Sequence, residues 1–280
     1  MGETLLIEDT EAIKGTAKRI ISFLRVDLGK IEEKTDFVAV EEPIHLLLNE
    51  EFYATILCTP TDREALVVGN LFSEGIISSL DEIKEIKIGE TGECKVILKE
   101  NIDVMKRLDF ALPFKRLVLS SCGSMSQWPF SKLIDRVKLP KITAKMCLKA
   151  ELVLQSVRQL NDRAIIFRKT GGVHAAALYE PNGELISFSE DVGRHNAVDK
   201  VIGLALNKEC DFEQCFLAST GRLAGDIVLK ASRLRIPVVA SLASAMDSGI
   251  EVANKTDITL VGFVRGNRMN VYTHPERIMF

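Results

Sequence analysis

Cys215-Phe216-Leu217-Ala218-Ser219-Thr220-Gly221-Arg222 is an apolar run that ends in a small polar loop, and the pattern around it decides the fold class. The run reads as a strand, and Leu223 to Leu234 then follows with helical spacing. A second strand over Pro237 to Leu242, a helix over Asp247 to Ala253, a strand over Ile258 to Phe263 and a last strand near Met269 to Tyr272 continue the alternation. Upstream, Asn196 to Leu206 reads as a helix. Repeated alternation of this kind predicts an α/β layered sheet with helices packed on its faces.

Working back from that core, Tyr179-Glu180 and Leu185-Ile186-Ser187-Phe188 flank Pro181-Asn182-Gly183, a hairpin turn signal. Thr143 to Leu160 has helical spacing, with a strand expected over Ala164 to Phe167. The first part of the chain reads differently. Residues 1 to 35 are a mixed-charge lead-in, with Ala12 to Leu28 as an edge strand or short helix. Glu41 to Glu51 reads as a hairpin turning at Asn49-Glu50, with Phe52 to Leu57 as its return strand. Thr59-Pro60-Thr61-Asp62 looks like a helix start with proline in the first turn, and that helix ends near Ser73-Glu74-Gly75. Glu74 reads as a solvated acid at a helix end. Lys84 to Lys99 alternates as two more strands. The expected organisation is a small α+β domain over 1–112 and an α/β domain over 113–280.

Composition narrows the function. The 280 residues are 46% hydrophobic and 27% charged, as in ordinary globular chains, and the net charge of −3 gives no support for nucleic-acid binding. No apolar run reaches the ~18 residues of a membrane span, and Met1-Gly2-Glu3-Thr4 lacks the regions of a signal peptide, so a cytoplasmic protein is expected. Its six cysteines are then expected as thiols. They include no Cys-x-x-Cys pair, which leaves no basis for a zinc ribbon or a dithiol redox centre.

Leu117-Val118-Leu119-Ser120-Ser121-Cys122-Gly123-Ser124-Met125 places one cysteine where an apolar run breaks into small polar residues. Cys122 is there either a reactive thiol on a loop or a small buried hydrophobe. Open α/β sheets bind ligands beyond the carboxyl ends of their strands. Here those ends carry Arg168-Lys169-Thr170-Gly171-Gly172, Ser219-Thr220-Gly221-Arg222, Ser241-Leu242-Ala243-Ser244 and Arg265-Gly266-Asn267-Arg268, a mixture of glycines, hydroxyls and arginines that suits phosphate. Neither the Walker loop nor Gly-x-Gly-x-x-Gly is present. In Glu190-Asp191-Val192-Gly193-Arg194-His195-Asn196, His195 either serves as an acid/base or orients an anionic ligand, or else Asp191 caps the coming helix and His195 packs on its first turn. His174 precedes Ala175 and Ala176, so the His-x-Glu signature of zinc deaminases is absent.

Thr170-Gly171-Gly172-Val173-His174-Ala175-Ala176-Ala177, Glu190 to Lys200, Thr220-Gly221-Arg222, Gly262-Phe263-Val264-Arg265 and Tyr272 to Ile278 together resemble the FdhD family of formate dehydrogenase accessory sulfurtransferases. Glu41-Glu42-Pro43 and Leu71 to Ile77 are similar to its N-terminal part. The resemblance implies a cytidine-deaminase-like three-layer α/β/α larger domain without a zinc site or other protein-bound metal. It implies a sulfur carrier that takes persulfide sulfur from a cysteine desulfurase and delivers it to the molybdenum (or tungsten) bis(molybdopterin guanine dinucleotide) cofactor of an apo formate dehydrogenase. Cys122 would carry the persulfide. Phe263, Val264, Arg265, Gly266, Asn267 and Arg268 would bind the cofactor, with His195 and Arg222 as further anion contacts, and a homodimer is among the assemblies allowed. Many members have Cys-x-x-Cys at the active loop, whereas Met125 holds the second position here. A non-catalytic chaperone that binds and inserts the same cofactor is the alternative; a nucleotide hydrolase lacks the expected metal ligands.

Overall fold

A computed structural model describes residues 16–89, 92–104, 107 and 139–280. Cys122, Met125, the strand expected over Leu117 to Leu119 and the boundary expected at 112/113 lie outside the described residues.

The chain begins with an antiparallel ribbon, β1 (Lys18–Asp27) paired with β2 (Lys30–Ala39) around Gly29 at φ 85°. Within Ala12 to Leu28, Lys18–Asp27 is therefore strand, and among the described residues it pairs with β2. Ile20, Leu24, Val26 and Ile31 remain exposed on the ribbon. β3 (Glu42–Leu48) and β4 (Glu51–Cys58) form the expected hairpin. Both turn residues, Asn49 and Glu50, have positive φ, as a two-residue turn matched to strand twist requires. Asn49 tolerates this well, and its Oδ1 also accepts from the Leu98 amide at 2.9 Å. β5 (Ile83–Ile88) and β6 (Glu93–Leu98) complete a sheet of order β4-β3-β6-β5, with β6 parallel to β3. Helix α1 (Arg63–Ser73) lays Leu66, Val67 and Leu71 on the Ile44, Leu46 and Val96 face of that sheet. It starts one turn later than the proline suggested: Pro60 precedes the helix, and Asp62 accepts from Ser189 Oγ instead of capping it.

The remaining strands are β7 (Leu148–Lys149), β8 (His174–Tyr179), β9 (Leu185–Asp191), β10 (Phe216–Ser219), β11 (Val238–Ser241), β12 (Thr259–Arg265), β13 (Arg268–Thr273) and β14 (Ile278–Met279). Six of them form one sheet of order β13-β12-β11-β10-β8-β9, with β10, β11 and β12 parallel. β7 and β14 pair separately. The helices are α2 (Ala150–Arg163), α3 (Ile165–Thr170), α4 (Arg194–Leu206), α5 (Gly225–Arg233) and α6 (Asp247–Thr256). Alternate strand residues serve opposite faces. Leu178, Leu217, Val239 and Leu260 pack with α4, α5 and α6, while Ala177, Phe216, Ala218 and Val261 pack with α2. Burial on both faces is why these strands read as continuous apolar runs.

The stretch from Thr143 to Phe167 departs from its sequence expectation in two ways. Helix begins at Ala150, not Thr143, and Ala164 to Phe167 is no strand. Ile165-Ile166-Phe167 opens α3 because the buried Glu190 carboxylate accepts from the amides of Ile166 (3.1 Å) and Phe167 (2.7 Å), satisfying donors a helix start leaves free.

The two sheets are joined through α1 and α4, which touch backbone to backbone. A Cβ on Gly69 would lie 1.8 Å from the Asp199 carbonyl oxygen, and one on Gly203 would lie 2.0 Å from that of Ala65. Buried charge surrounds this contact. Lys230 Nζ donates to Ser73 Oγ (2.8 Å), Glu74 Oε1 (2.8 Å) and Asp199 Oδ1 (2.9 Å), and Arg233 donates to Glu74 Oε2 at 3.1 Å. Glu74 is thus part of an ion network, not a solvated helix end. Burial alone would raise its pKa, but Lys230 and Arg233 outweigh burial and lower it to about 2.

Removing the cation should therefore be severe: Lys230→Met leaves Asp199 and Glu74 buried without it, and urea unfolding should show a loss of about 3–5 kcal/mol. A loss below about 1 kcal/mol, the size of an ordinary substitution, would contradict this account. The Glu74 contribution has a defined pH sign. Its folded pKa is depressed, so the contribution is complete above the ordinary value of 4.5 and fades as pH falls through about 2. Melting temperature measured against pH should fall over that window in the parent chain and less steeply in Glu74→Gln.

Candidate functional site

The carboxyl ends of β9, β10, β11 and β12 and the start of β8 share one edge of the six-stranded sheet. Three helices, α4, α5 and α6, begin just beyond this edge, and none has a side-chain cap at its first residue. Their N-termini add partial positive charge to whatever the loops supply, although in α5 the Gly225 and Ile227 amides are already taken by Ser248 Oγ and Asp226 Oδ1.

The loops are held by their own hydroxyls. Thr220 and Ala175 exchange hydrogen bonds, the Ala175 amide donating to Thr220 Oγ1 (2.9 Å) and the Thr220 amide to the Ala175 carbonyl (2.9 Å). Ser219 Oγ accepts from the Gly221 amide at 3.0 Å, and Ser241 Oγ donates to the Gly221 carbonyl at 2.6 Å. Gly221 itself must lack a side chain, since a Cβ there would lie 2.9 Å from Arg194 Cβ. The loop after β10 is thereby pressed onto the first residue of α4.

Arg194 and His195 converge on Asp226 in the first turn of α5. His195 Nε2 lies 2.5 Å from Asp226 Oδ2, and Arg194 Nη2 lies 3.4 Å from the same oxygen. Burial pushes the Asp226 carboxyl up, but its hydrogen bond to His195 and the charges of His195 and Arg194 prevail, and its pKa lies below the ordinary value. Asp226 stays ionised and braces both side chains. His174, at the start of β8, is half-buried. Burial first, then the positive charges of Arg194, His195 and Arg222, push its pKa below 6.5. These four side chains therefore share one electrostatic neighbourhood, with Arg222 exposed above it.

Two strands further along the sheet, β12 and β13 form a hairpin through Arg265, Gly266, Asn267 and Arg268, all exposed, while Val264 is buried. Phe263 adopts φ 52°, a left-handed conformation unusual for an aromatic residue, and its ring is partly exposed. The Arg265 guanidinium lies 5.9 Å from that ring, while Arg265 Nε donates to the Leu242 carbonyl at 3.0 Å. The edge thus presents an arginine beside an aromatic face at one end and an arginine–histidine cluster at the other. Phosphate oxygens suit the donors of the arginine–histidine cluster, and a planar base suits the aromatic–arginine pair.

His195 and Arg222 are brought together, with Phe263 to Arg268 along the same edge. Arg168 to Gly172 does not follow a strand; Arg168 and Lys169 lie in the last turn of α3, where Lys169 Nζ sits 5.3 Å from the Phe37 ring. Asp191 does not cap α4; it accepts from the Gly193 amide just before the helix and from Asn196 Nδ2, both at 2.8 Å. His195 faces Asp226, so the packing-only reading of that histidine fails. Asp226 was not singled out by the sequence. The available signal was an acid in the first turn of a helix that follows the Ser219 to Arg222 loop.

A phosphate-compatible edge on an α/β sheet defines a broad class of anion-handling proteins, which comparison with known proteins narrows. Residues 39–279 match the model of the FdhD/NarQ family. A protein of Sulfolobus acidocaldarius named sulfur carrier protein FdhD is 38% identical over 261 residues, covering 93% of this chain and 98% of its own. A Thermoplasma acidophilum protein of the same name is 36% identical over 288 residues, covering 99% of both chains. The crystal structure of a putative formate dehydrogenase accessory protein from Desulfotalea psychrophila superposes with a TM-score of 0.74 at 29% identity, covering 94% of this chain and all of that one. The chain belongs to the FdhD/NarQ family.

If Arg222 faces His174 as described, Arg222→Gln should raise the His174 pKa while leaving it below 6.5, because burial is the larger cause. Imidazole titration by NMR measures this directly. An unchanged His174 titration would separate Arg222 from the cluster.

Proposed function

We propose that this protein is a sulfur carrier that receives persulfide sulfur on Cys122 from a cysteine desulfurase and passes it to the molybdenum or tungsten bis(molybdopterin guanine dinucleotide) cofactor destined for formate dehydrogenase. The observation that carries the reading is the cationic edge itself, where Arg194, His195 and Arg222 on one side and Phe263, Arg265 and Arg268 on the other lie in a chain whose relatives are named sulfur carriers. The cofactor is the substrate, and its pyrophosphate and guanine groups are the chemistry this edge suits. The likeness of the larger sheet to cytidine deaminases and a cytoplasmic site of action belong to the same reading.

In the loading step the Cys122 thiolate attacks the terminal sulfur of the desulfurase persulfide. The sulfur–sulfur bond of the donor breaks, its cysteine leaves as thiolate, and Cys122 holds the persulfide. An unperturbed thiol of pKa about 8.5 is only a few per cent ionised at neutral pH, so the thiolate fraction limits this step. Among the chain's own residues, Asp226 keeps Arg194 and His195 in place to receive anionic oxygens, and Gly221 permits the close approach.

Met125, at the position where many family members carry a second cysteine, favours one other reading, a chaperone that binds and inserts the cofactor without carrying sulfur. Mass spectrometry after incubation with a desulfurase and cysteine decides between them: a gain of one sulfur on Cys122 supports transfer, and its absence supports the chaperone. Cys122→Ala should abolish loading and formate dehydrogenase maturation, whereas Cys147→Ala, Cys210→Ala and Cys215→Ala should leave both intact. Cys147 is the most stringent of these controls, being exposed.

The cofactor site has its own test. Replacing Arg265 and Arg268 by alanine should weaken GDP binding by ten-fold or more, at about 1.4 kcal/mol per decade, and make the residual binding less dependent on salt. Calorimetric titrations identical to those of the parent chain would remove the hairpin from the site.

A further inference from the structure

The end of β10 away from the arginine-bearing edge carries a pair of thiols. Cys210 and Cys215 lie on either side of the short turn Phe212–Gln214, with their sulfurs 3.0 Å apart. Their Cys-x-x-x-x-Cys spacing had no place among familiar motifs, and the fold creates the pair. The two residues line an open cavity of about 530 Å³ at the amino end of the sheet, away from the arginine-bearing edge. Cys210 is partly exposed and Cys215 buried, so a reagent in the cavity meets Cys210 first. Burial is the largest influence on both thiols and pushes both pKa values up, and the charges of Asp211 and Glu180 add to it. The cavity lining has one cation, Lys208, against Glu180, Glu184, Glu209 and Asp211.

We propose that Cys210 and Cys215 are a redox-modification site, closing into a disulfide by exchange with small cationic disulfides that enter this acidic cavity. Cys210 gives up its proton and attacks one sulfur of the incoming disulfide, forming a mixed disulfide and releasing the first thiolate, which takes up that proton. Cys215 then gives up its proton and attacks Cys210 Sγ, releasing the second thiolate. Two protein thiols are oxidised and one small disulfide is reduced to two thiols. A disulfide bond is about 2.05 Å long, so the sulfurs need to close by about 1 Å. The neighbouring acids repel anionic reagents and attract cationic ones.

The test uses the full chain with Cys122→Ser, so that its readout involves no persulfide and is independent of the function proposed above. The reduced protein is incubated with cystamine or with glutathione disulfide, quenched with acid, alkylated with N-ethylmaleimide and mapped by mass spectrometry. The expected product is a peptide containing Cys210 and Cys215 that is unalkylated and two hydrogens lighter. It should form several-fold faster with cystamine and revert with dithiothreitol. In Cys215→Ser, which lacks the resolving thiol, a cystamine adduct should accumulate on Cys210. Alkylation of both cysteines under conditions that convert the exposed Cys147 to an adduct would overturn the site, and faster closure with glutathione disulfide would overturn the assignment to cationic disulfides.

Discussion

Lys200 and Asp191, both without exposed side-chain surface, form the ion pair on which the architecture depends, with Nζ 2.6 Å from Oδ2. Neither charge could remain in the interior alone, and each is held by further hydrogen bonds. Lys200 donates to the Thr59 carbonyl at 2.9 Å, the Thr59 amide donates to Asp191 at 3.0 Å, and the Val192 amide donates to Thr59 Oγ1 at 3.1 Å. Thr59 stands between the N-terminal hairpin and α1, whereas Asp191 ends β9 and Lys200 lies in α4. One buried pair therefore ties the junction of β4 and α1 to the end of β9 and to α4.

That constraint explains the division of labour within Glu190 to Lys200. Glu190 starts α3, Asp191 and Lys200 join the two halves, and Asn196 reaches the Leu57 carbonyl at 2.7 Å. Arg194 and His195 are turned toward Asp226 at the arginine-bearing edge. They need a rigid base because their donors are useful only at fixed positions, and Asp226 provides it from the next helix. A segment that looks like a single polar motif in sequence is thus mostly internal scaffolding.

β10, β11 and β12 were legible because burial on both faces writes uninterrupted apolar runs, and the hairpin at Asn49-Glu50 because its turn chemistry is local, whereas β8 was not read as a strand. What was illegible depended on distant partners. Ile165-Ile166-Phe167 has strand propensity, and the carboxylate that makes it a helix belongs to Glu190, 23 and 24 residues away from the amides it accepts from. Glu74 looked solvated because Lys230 is 156 residues further on. Within the site, His195 and Arg222 stood out as polar residues beside strand ends, while Asp226 was hidden in an ordinary amphipathic helix. Its role comes from facing His195 across 31 positions, a relation no local pattern encodes.

The glycine contact between α1 and α4 bears on how the chain is made as well as how it is held. Ser73 in α1 finds its partners Asp199 and Lys230 only 126 and 157 residues later. At about 5–20 residues per second, a ribosome needs roughly 6–30 s to supply them. During that interval the N-terminal sheet and α1 are already synthesised, yet the face around Gly69, Asn70 and Ser73 has nothing to meet. The nascent chain must keep this surface from other contacts until α4 emerges, so the close fit that welds the finished molecule is also a face left open during birth.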